Sequence, residues 1–281
     1  METILSIAKK EAMDNIRSKW IIITTGIFVS LAIISSLIGA LVSGSGGLED
    51  LRTTVMIMMF FVQYVIPIIG LMLGYATIVG EKERETLSAL LSYPVTRLEI
   101  IIGKFLGLGL VLSTSIFIGF GIAGIIIGIS VGFVDLGLYL TYIAFTILLG
   151  LVFLSISMAF SSIFKKRSTS MGMSIFSWSF FSFLWGIFLF GLIAINRINP
   201  SSSEAEGYFL LNLFSPAQVF NALVSLNIGG PETLMLPSMG MSIFANDFPD
   251  FYNNGVLLSI LFIWIFIPLI LSYIAFRRKD I

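Results

Sequence analysis

Six runs of the sequence, 20–42, 53–79, 105–131, 138–164, 171–195 and 256–276, contain no Asp, Glu, Lys or Arg. Each exceeds the roughly 20 apolar residues that cross about 30 Å of hydrocarbon at 1.5 Å per residue. A lipid-exposed backbone must satisfy its own amides and carbonyls, so runs of this length predict an all-α integral membrane protein with six transmembrane helices. Composition agrees: 57% of residues are hydrophobic and 11% charged, against about 25% charged in soluble domains, and the mean hydropathy is +1.02. No composition shift divides the chain, so residues 1–281 read as a single transmembrane domain. The longer runs must tilt or project beyond the bilayer.

Orientation follows from the cations. If both ends lie inside, fourteen of the 16 Lys and Arg fall in the N-terminal segment, the 80–104 and 165–167 segments and the C-terminal tail; Arg52 and Arg197 alone fall outside. That asymmetry satisfies the positive-inside rule and predicts a multi-pass plasma-membrane protein with cytoplasmic N- and C-termini. Ahead of the first span, Leu5, Ala8, Ala12 and Ile16 form one helical stripe among charged residues. This predicts an interfacial helix, with Trp20 at headgroup level.

The charged segment 80–104 separates the second and third runs. Glu81, Lys82, Glu83, Arg84 and Glu85 are followed by Leu87, Leu90 and Leu91, spaced to share one face of a short amphipathic helix. Tyr93-Pro94 stops that helix. Thr96-Arg97-Leu98-Glu99 has the order of a capping box and predicts a second helix starting at Thr96 and running into the third span. On pattern alone the segment fits either a solvated cytoplasmic loop or a socket for a soluble partner. Glycines spaced four apart, Gly70 and Gly74, Gly103 and Gly107, and Gly124, Gly128 and Gly132, permit close helix approach within the chain or at a dimer seam. Pro67 and Pro268 are expected to kink their helices.

Residues 196–255 form the one long connection, predicted to lie outside. Within it 208–226 is apolar enough to enter the membrane, and Ser215-Pro216 breaks it at the middle, which predicts a partly re-entrant helix pair. The remainder, with Glu204, Glu206, Glu232, Asp247 and Asp250, either docks an extracytoplasmic accessory protein or is simply solvated.

Several function classes are disfavoured. With Cys 0 and His 0, disulfides, thiolate or imidazole metal sites and Cys- or His-based catalysis have no residues. Net charge is zero, which offers nothing to nucleic acid. No span carries the intramembrane charge typical of ion-coupled transporters. The sole Gly-Lys pair, Gly103-Lys104, is followed by Phe105, and Leu98 stands where a phosphate-binding loop has its first glycine. The chain is therefore read as non-enzymatic and cofactor-free. If it moves anything, a partner must supply the energy; the competing reading is a non-transporting membrane scaffold or assembly factor that recruits a cytosolic protein.

Three stretches carry a family resemblance: Ile78-Val79-Gly80-Glu81-Lys82-Glu83-Arg84-Glu85-Thr86-Leu87, Leu91-Ser92-Tyr93-Pro94-Val95-Thr96-Arg97 and Gly103-Lys104-Phe105-Leu106-Gly107. Together they resemble the signature of ABC-2 type transporter permeases, most similar to the permeases of nitrous-oxide-reductase maturation systems. The resemblance implies that the N-terminal helix is an elbow helix. It also implies that the stretch after span two is a coupling helix seated in a separate cytosolic ATPase, with ATP and magnesium bound there. Glu81, Glu83, Arg84, Thr86, Leu87, Leu90, Leu91, Tyr93 and Pro94 would form that interface, with Thr96 and Glu99 starting the following helix. A homodimer with spans one, two and five at its seam is implied, as is transmission of force, or of sulfur- and copper-related cargo, to an external partner. Phe214, Ser215, Pro216, Gln218 and Phe220 are similar to the family's "N-P-A" stretch, with Ser215 in place of the asparagine.

Overall fold

The computed structural model describes residues 2–17, 20–44, 48–49, 51–85, 95–195, 205–229 and 249–277. The described residues are helical apart from turns and short connections, and six helices are long and apolar enough to cross a membrane, or seven if one bent pair counts as a span. The chain is an all-α, multi-pass membrane protein.

Helix α1 (Glu2–Arg17) precedes α2 (Trp20–Ser43) and α3 (Leu51–Gly74). The second apolar run does not continue as one helix to Val79. It turns at residues 75–78 and resumes as α4 (Val79–Glu83). Helix α5 (Arg97–Val131) has 35 residues, about 52 Å at 1.5 Å per residue. Its start is fixed by the capping box: the Glu99 amide donates to Thr96 Oγ1 at 3.3 Å and the Thr96 amide to Glu99 Oε2 at 2.9 Å. Gly132, at φ 111°, ends it in a backbone region open to glycine.

Helix α6 (Leu136–Ile163) folds back antiparallel and is the most buried span. Tyr139, on its first turn, donates to the Phe120 carbonyl at 2.8 Å. The main core surrounds α6, with α3 on one side and α11 (Asn254–Arg277) on the other. Two glycines permit the α3 contact. A Cβ on Gly70 would stand 2.8 Å from the Gly150 carbonyl oxygen, and one on Gly74 would collide with Ser157 Oγ. On the other side, Ser155 Oγ donates to the Trp264 carbonyl at 3.2 Å, and the hydroxyls of Ser162 and Ser272 meet at 2.5 Å.

The fifth span comprises α7 (Arg167–Ser179), a π-helical turn at Phe180–Leu184 and α8 (Trp185–Ala194). It is the least buried span and lies at the bundle's edge. Phe181, inside the π turn, packs on Phe153 of α6 and Trp264 of α11, with ring centroids 6.2 and 5.3 Å apart.

Helices α9 (Ala205–Asn212) and α10 (Pro216–Val224) form the bent pair, turned through 116°. The first arm has 8 residues and the second continues from α10 through a π-helical turn at Ser225–Gly229, about 12 and 20 Å, each too short to cross alone. Pro216 sits in the first turn of α10, where its missing N–H costs no helical bond. Almost every residue of α10 is buried against α3, α6 and α11.

Candidate functional site

The starts of α5 and α7 and the end of α11 meet α1 and α4 at one end of the bundle, here called the basic end. A second apolar cluster, including Ile78, Ile100, Leu108, Met158 and Phe276, underlies it. Helix α4 is its node. No side chain of its own caps the start of α4; instead Ser161 Oγ of α6 accepts the Ile78 and Val79 amides at 2.9 and 3.1 Å. One hydroxyl thereby satisfies two of the donors a helix start leaves open.

At the other end of α4, Glu83 Oε1 accepts the Arg167 amide at 2.7 Å. This carboxylate caps α7, whose own N-cap residue Lys166 makes no capping bond, and its charge suits the positive end of the helix dipole. Arg167 lies over the Tyr75 ring at 5.2 Å and donates to its hydroxyl at 2.7 Å, while Ser170 Oγ donates to the Tyr75 carbonyl at 2.7 Å. The turn between α3 and α4 is therefore held by both α6 and α7.

Glu81 points to α5. Its Oε1 is 2.7 Å from Lys104 Nζ, and Glu11 Oε2 of α1 is 3.3 Å from the same nitrogen. Lys104 is only 2% exposed. Gly103 and Gly107 beside it bring α1 against the α5 backbone, since a Cβ would stand 2.8 Å from Ile7 Cβ and 2.6 Å from the Ala8 carbonyl oxygen respectively. The face of α1 that meets α5 thus includes Ile7, Ala8 and Glu11; of the apolar stripe expected to lie in the membrane interface, Ala8 is buried here and Leu5 is 73% exposed. Gly103-Lys104 lies in mid-helix, its lysine engaged by carboxylates instead of phosphate. Arg97 adds a last tie, donating to the Phe276 and Arg277 carbonyls at 2.6 and 2.7 Å and so capping the end of α11.

Measured against the sequence reading, Glu81 and Glu83 are turned into their own chain. Arg84 is exposed, Thr96 and Glu99 form the α5 cap, and Glu85 adopts φ 59°. That left-handed residue ends the helix, so the charged residues from Glu81 do not run on as one helix toward the leucines. Thr86, Leu87, Leu90, Leu91, Tyr93 and Pro94 lie outside the described residues. Lys104, Glu11, Ser161, Tyr75 and Arg167 are site residues the sequence did not single out. A lysine set between glycines at a span's edge was the one available signal.

At the opposite end, Phe214 is exposed, Ser215 and Pro216 are buried, Gln218 is half-buried, and Phe220 packs on Tyr142 with centroids 6.0 Å apart. The next residue, Asn221, donates from Nδ2 to Gln63 Oε1 at 2.7 Å within the bundle. Arg52 Nε donates to the Ile228 carbonyl at 3.0 Å, and the Asn227 and Asn254 amides pair reciprocally at 2.9 and 3.0 Å. Among the described residues no three His, Cys, Asp or Glu are grouped to hold a metal.

A multi-span helical bundle with a densely tied basic end and a bent helix pair in its core defines a polytopic membrane protein. The chain belongs to the ABC-2 family of transporter proteins, whose model, described as ABC-2 family transporter protein, matches residues 5–281. It is 32% identical over 285 residues to the probable ABC transporter permease protein NosY of Stutzerimonas stutzeri, with 99% of each chain covered. Against the protein of the same name from Pseudomonas aeruginosa it is 30% identical over 285 residues, with 100% of each covered.

Proposed function

We propose that this chain is the permease subunit of an ATP-driven ABC-2 complex. A separate cytosolic ATPase docks on residues 80–104 and hydrolyses ATP, with magnesium, on its own residues; the permease converts that work into export or force transmission and is not itself an enzyme. Family membership and full-length similarity to two probable ABC transporter permeases support this reading. The observation that carries it is the bracketing of residues 84–96. Helix α4 precedes them, bonded to α6 and α7 through Ser161 and Glu83, and the capped start of a 35-residue α5 follows. A push applied between them reaches α6 and α7 through α4 and the third span through the start of α5.

In this reading the basic end is cytoplasmic, both termini lie there, α1 rests as an elbow helix at the inner surface of the plasma membrane, and α9 and α10 re-enter from outside, where an accessory protein can dock. Two copies frame one pathway. The low burial of α2 and of the α7–α8 span, beside the deeply buried α6, fits spans one and five at the seam, and the family resemblance adds span two.

Leu87→Asp and Leu90→Asp test the docking site, because a leucine withdrawn from water contributes about 1.5 to 3 kcal/mol. In nanodiscs both variants should insert normally and lose the ATPase in pull-down, whereas Pro94→Ala should keep it and uncouple hydrolysis from transport. ATPase capture at the parental level by both aspartate variants would make the segment a solvated loop. Orientation is checked on the cysteine-free chain: exposed Ser168 and Ser130, at opposite ends of the bundle, replaced by Cys in turn, should label only after membrane rupture and directly from outside, respectively.

A further inference from the structure

Lys104 is the one buried cation among the described residues, and it is shared between two carboxylates on different elements. Its Nζ lies 2.7 Å from Glu81 Oε1 on α4 and 3.3 Å from Glu11 Oε2 on α1. Burying an ammonium is costly unless carboxylates compensate it, so Lys104 must keep a partner in every conformation the protein visits. One cation between two anions has two ways to satisfy that demand, so a shift from one to the other leaves it paired throughout. A single partner would make a fixed bolt; two partners make a switch.

The surroundings favour the second. Glu11 is 93 residues from Lys104 in sequence, so the side-chain triad links α1 to α4 where no chain connection is near. Gly103 and Gly107 let α1 lie directly on α5 at the level of the lysine. Helix α4, held to α6 and α7 by Ser161 and Glu83, meets α5 through Glu81. We propose that Lys104 is a shared counter-ion that couples α1 to α4: displacement of residues 84–96 shifts the ammonium from Glu81 toward Glu11, and α1 moves with the stroke instead of serving as a passive anchor. The coupling to a stroke rests on the ATPase reading above; the linkage of α1 to α4 does not.

The test uses spin labels on Ser6→Cys of α1 and Ser168→Cys of α7, the helix to which Glu83 ties α4; both sites are exposed, lie outside residues 80–104 and are clean in a chain without cysteine. Pulsed-EPR distances are measured in nanodiscs for the permease alone and for the permease–ATPase complex, with and without trapped nucleotide. The parent should give one narrow distribution in each state, displaced between nucleotide states. Glu11→Gln and Glu81→Gln should broaden it and lower coupled hydrolysis by about tenfold, within the usual range of coupling between sites.

Because Lys104→Met alone leaves two carboxylates facing each other, the neutral triple variant Glu11→Gln, Glu81→Gln, Lys104→Met separates fold from function. It should fold with a melting temperature near the parent's, yet remain broad and uncoupled. A triple variant with parental distances and parental coupling overturns the proposal, as does a Glu11→Gln protein that melts earlier while α1 stays in register. If the parent binds no ATPase, the docking reading fails, and the distances in the permease alone still decide whether the triad ties α1 to α4.

Discussion

Glu83 of α4 caps a helix that begins 84 residues later, its Oε1 accepting the Arg167 amide at 2.7 Å. The charge and the bond act together, one on the dipole of α7 and the other on an open donor. Glu83→Ala should therefore lower stability by about 1 kcal/mol, the usual cost of a lost N-cap. Glu83→Gln should recover part of the loss, because its amide oxygen still accepts the bond. Urea titration of the protein in detergent, followed by tryptophan fluorescence, checks the order parent, Gln, Ala.

Ser161 bears a heavier load, since its hydroxyl serves two backbone amides while the residue is buried. Ser161→Ala should cost about 1 to 3 kcal/mol, the penalty for leaving a buried donor unsatisfied. Hydrogen exchange at Ile78 and Val79 should accelerate while exchange in α5 stays slow. Unchanged protection at both amides would show that α4 does not depend on α6 for its start.

The glycines of this bundle divide by what a methyl group would meet. Gly70→Ala places carbon 2.8 Å from the Gly150 carbonyl oxygen, whereas Gly121→Ala meets nothing within 4 Å. The first should cost about 1 to 3 kcal/mol through overpacking of α3 on α6. The second should be neutral or stabilising by up to about 1 kcal/mol, since alanine is the better helix former. Thermal melts of the two variants side by side are the check.

How much of this was readable beforehand depends on the range over which the determining forces act. The six spans follow from local hydropathy, and the start of α5 from the Thr96–Glu99 capping box, in which each of those two side chains bonds the other's backbone amide. Gly70 and Gly74 were recognisable as a place of close approach, but their partner, 80 residues downstream on α6, was not. The family resemblance places Glu81 and Glu83 at an ATPase interface, while their pattern alone fits a solvated loop equally well. Nothing local distinguishes such a charge from one that finds a buried lysine or the open end of another helix. The left-handed turn at Glu85 is likewise unreadable in advance, since nothing in the charged run Glu81 to Glu85 marks where α4 stops.

The bond between Asn221 and Gln63 offers the most direct measure of how α10 is held, because it joins the bent pair to a long span by one side-chain contact of 2.7 Å, with both residues buried. Interhelical hydrogen bonds of this kind contribute about 0.6 kcal/mol on average in a membrane protein and about 1.7 at most. Asn221→Leu removes the donor and strands Gln63 Oε1, and Gln63→Leu strands the Asn221 amide, so each single change should destabilise by more than the bond itself contributes. The double variant replaces both polar groups with apolar ones of similar size and should lie closer to the parent than the sum of the singles. The sign of that coupling is the informative quantity. A double-mutant cycle of unfolding free energies that closes to zero, with the two losses simply adding, would mean that Asn221 and Gln63 act independently and that α10 is seated by Phe220 and its apolar neighbours alone.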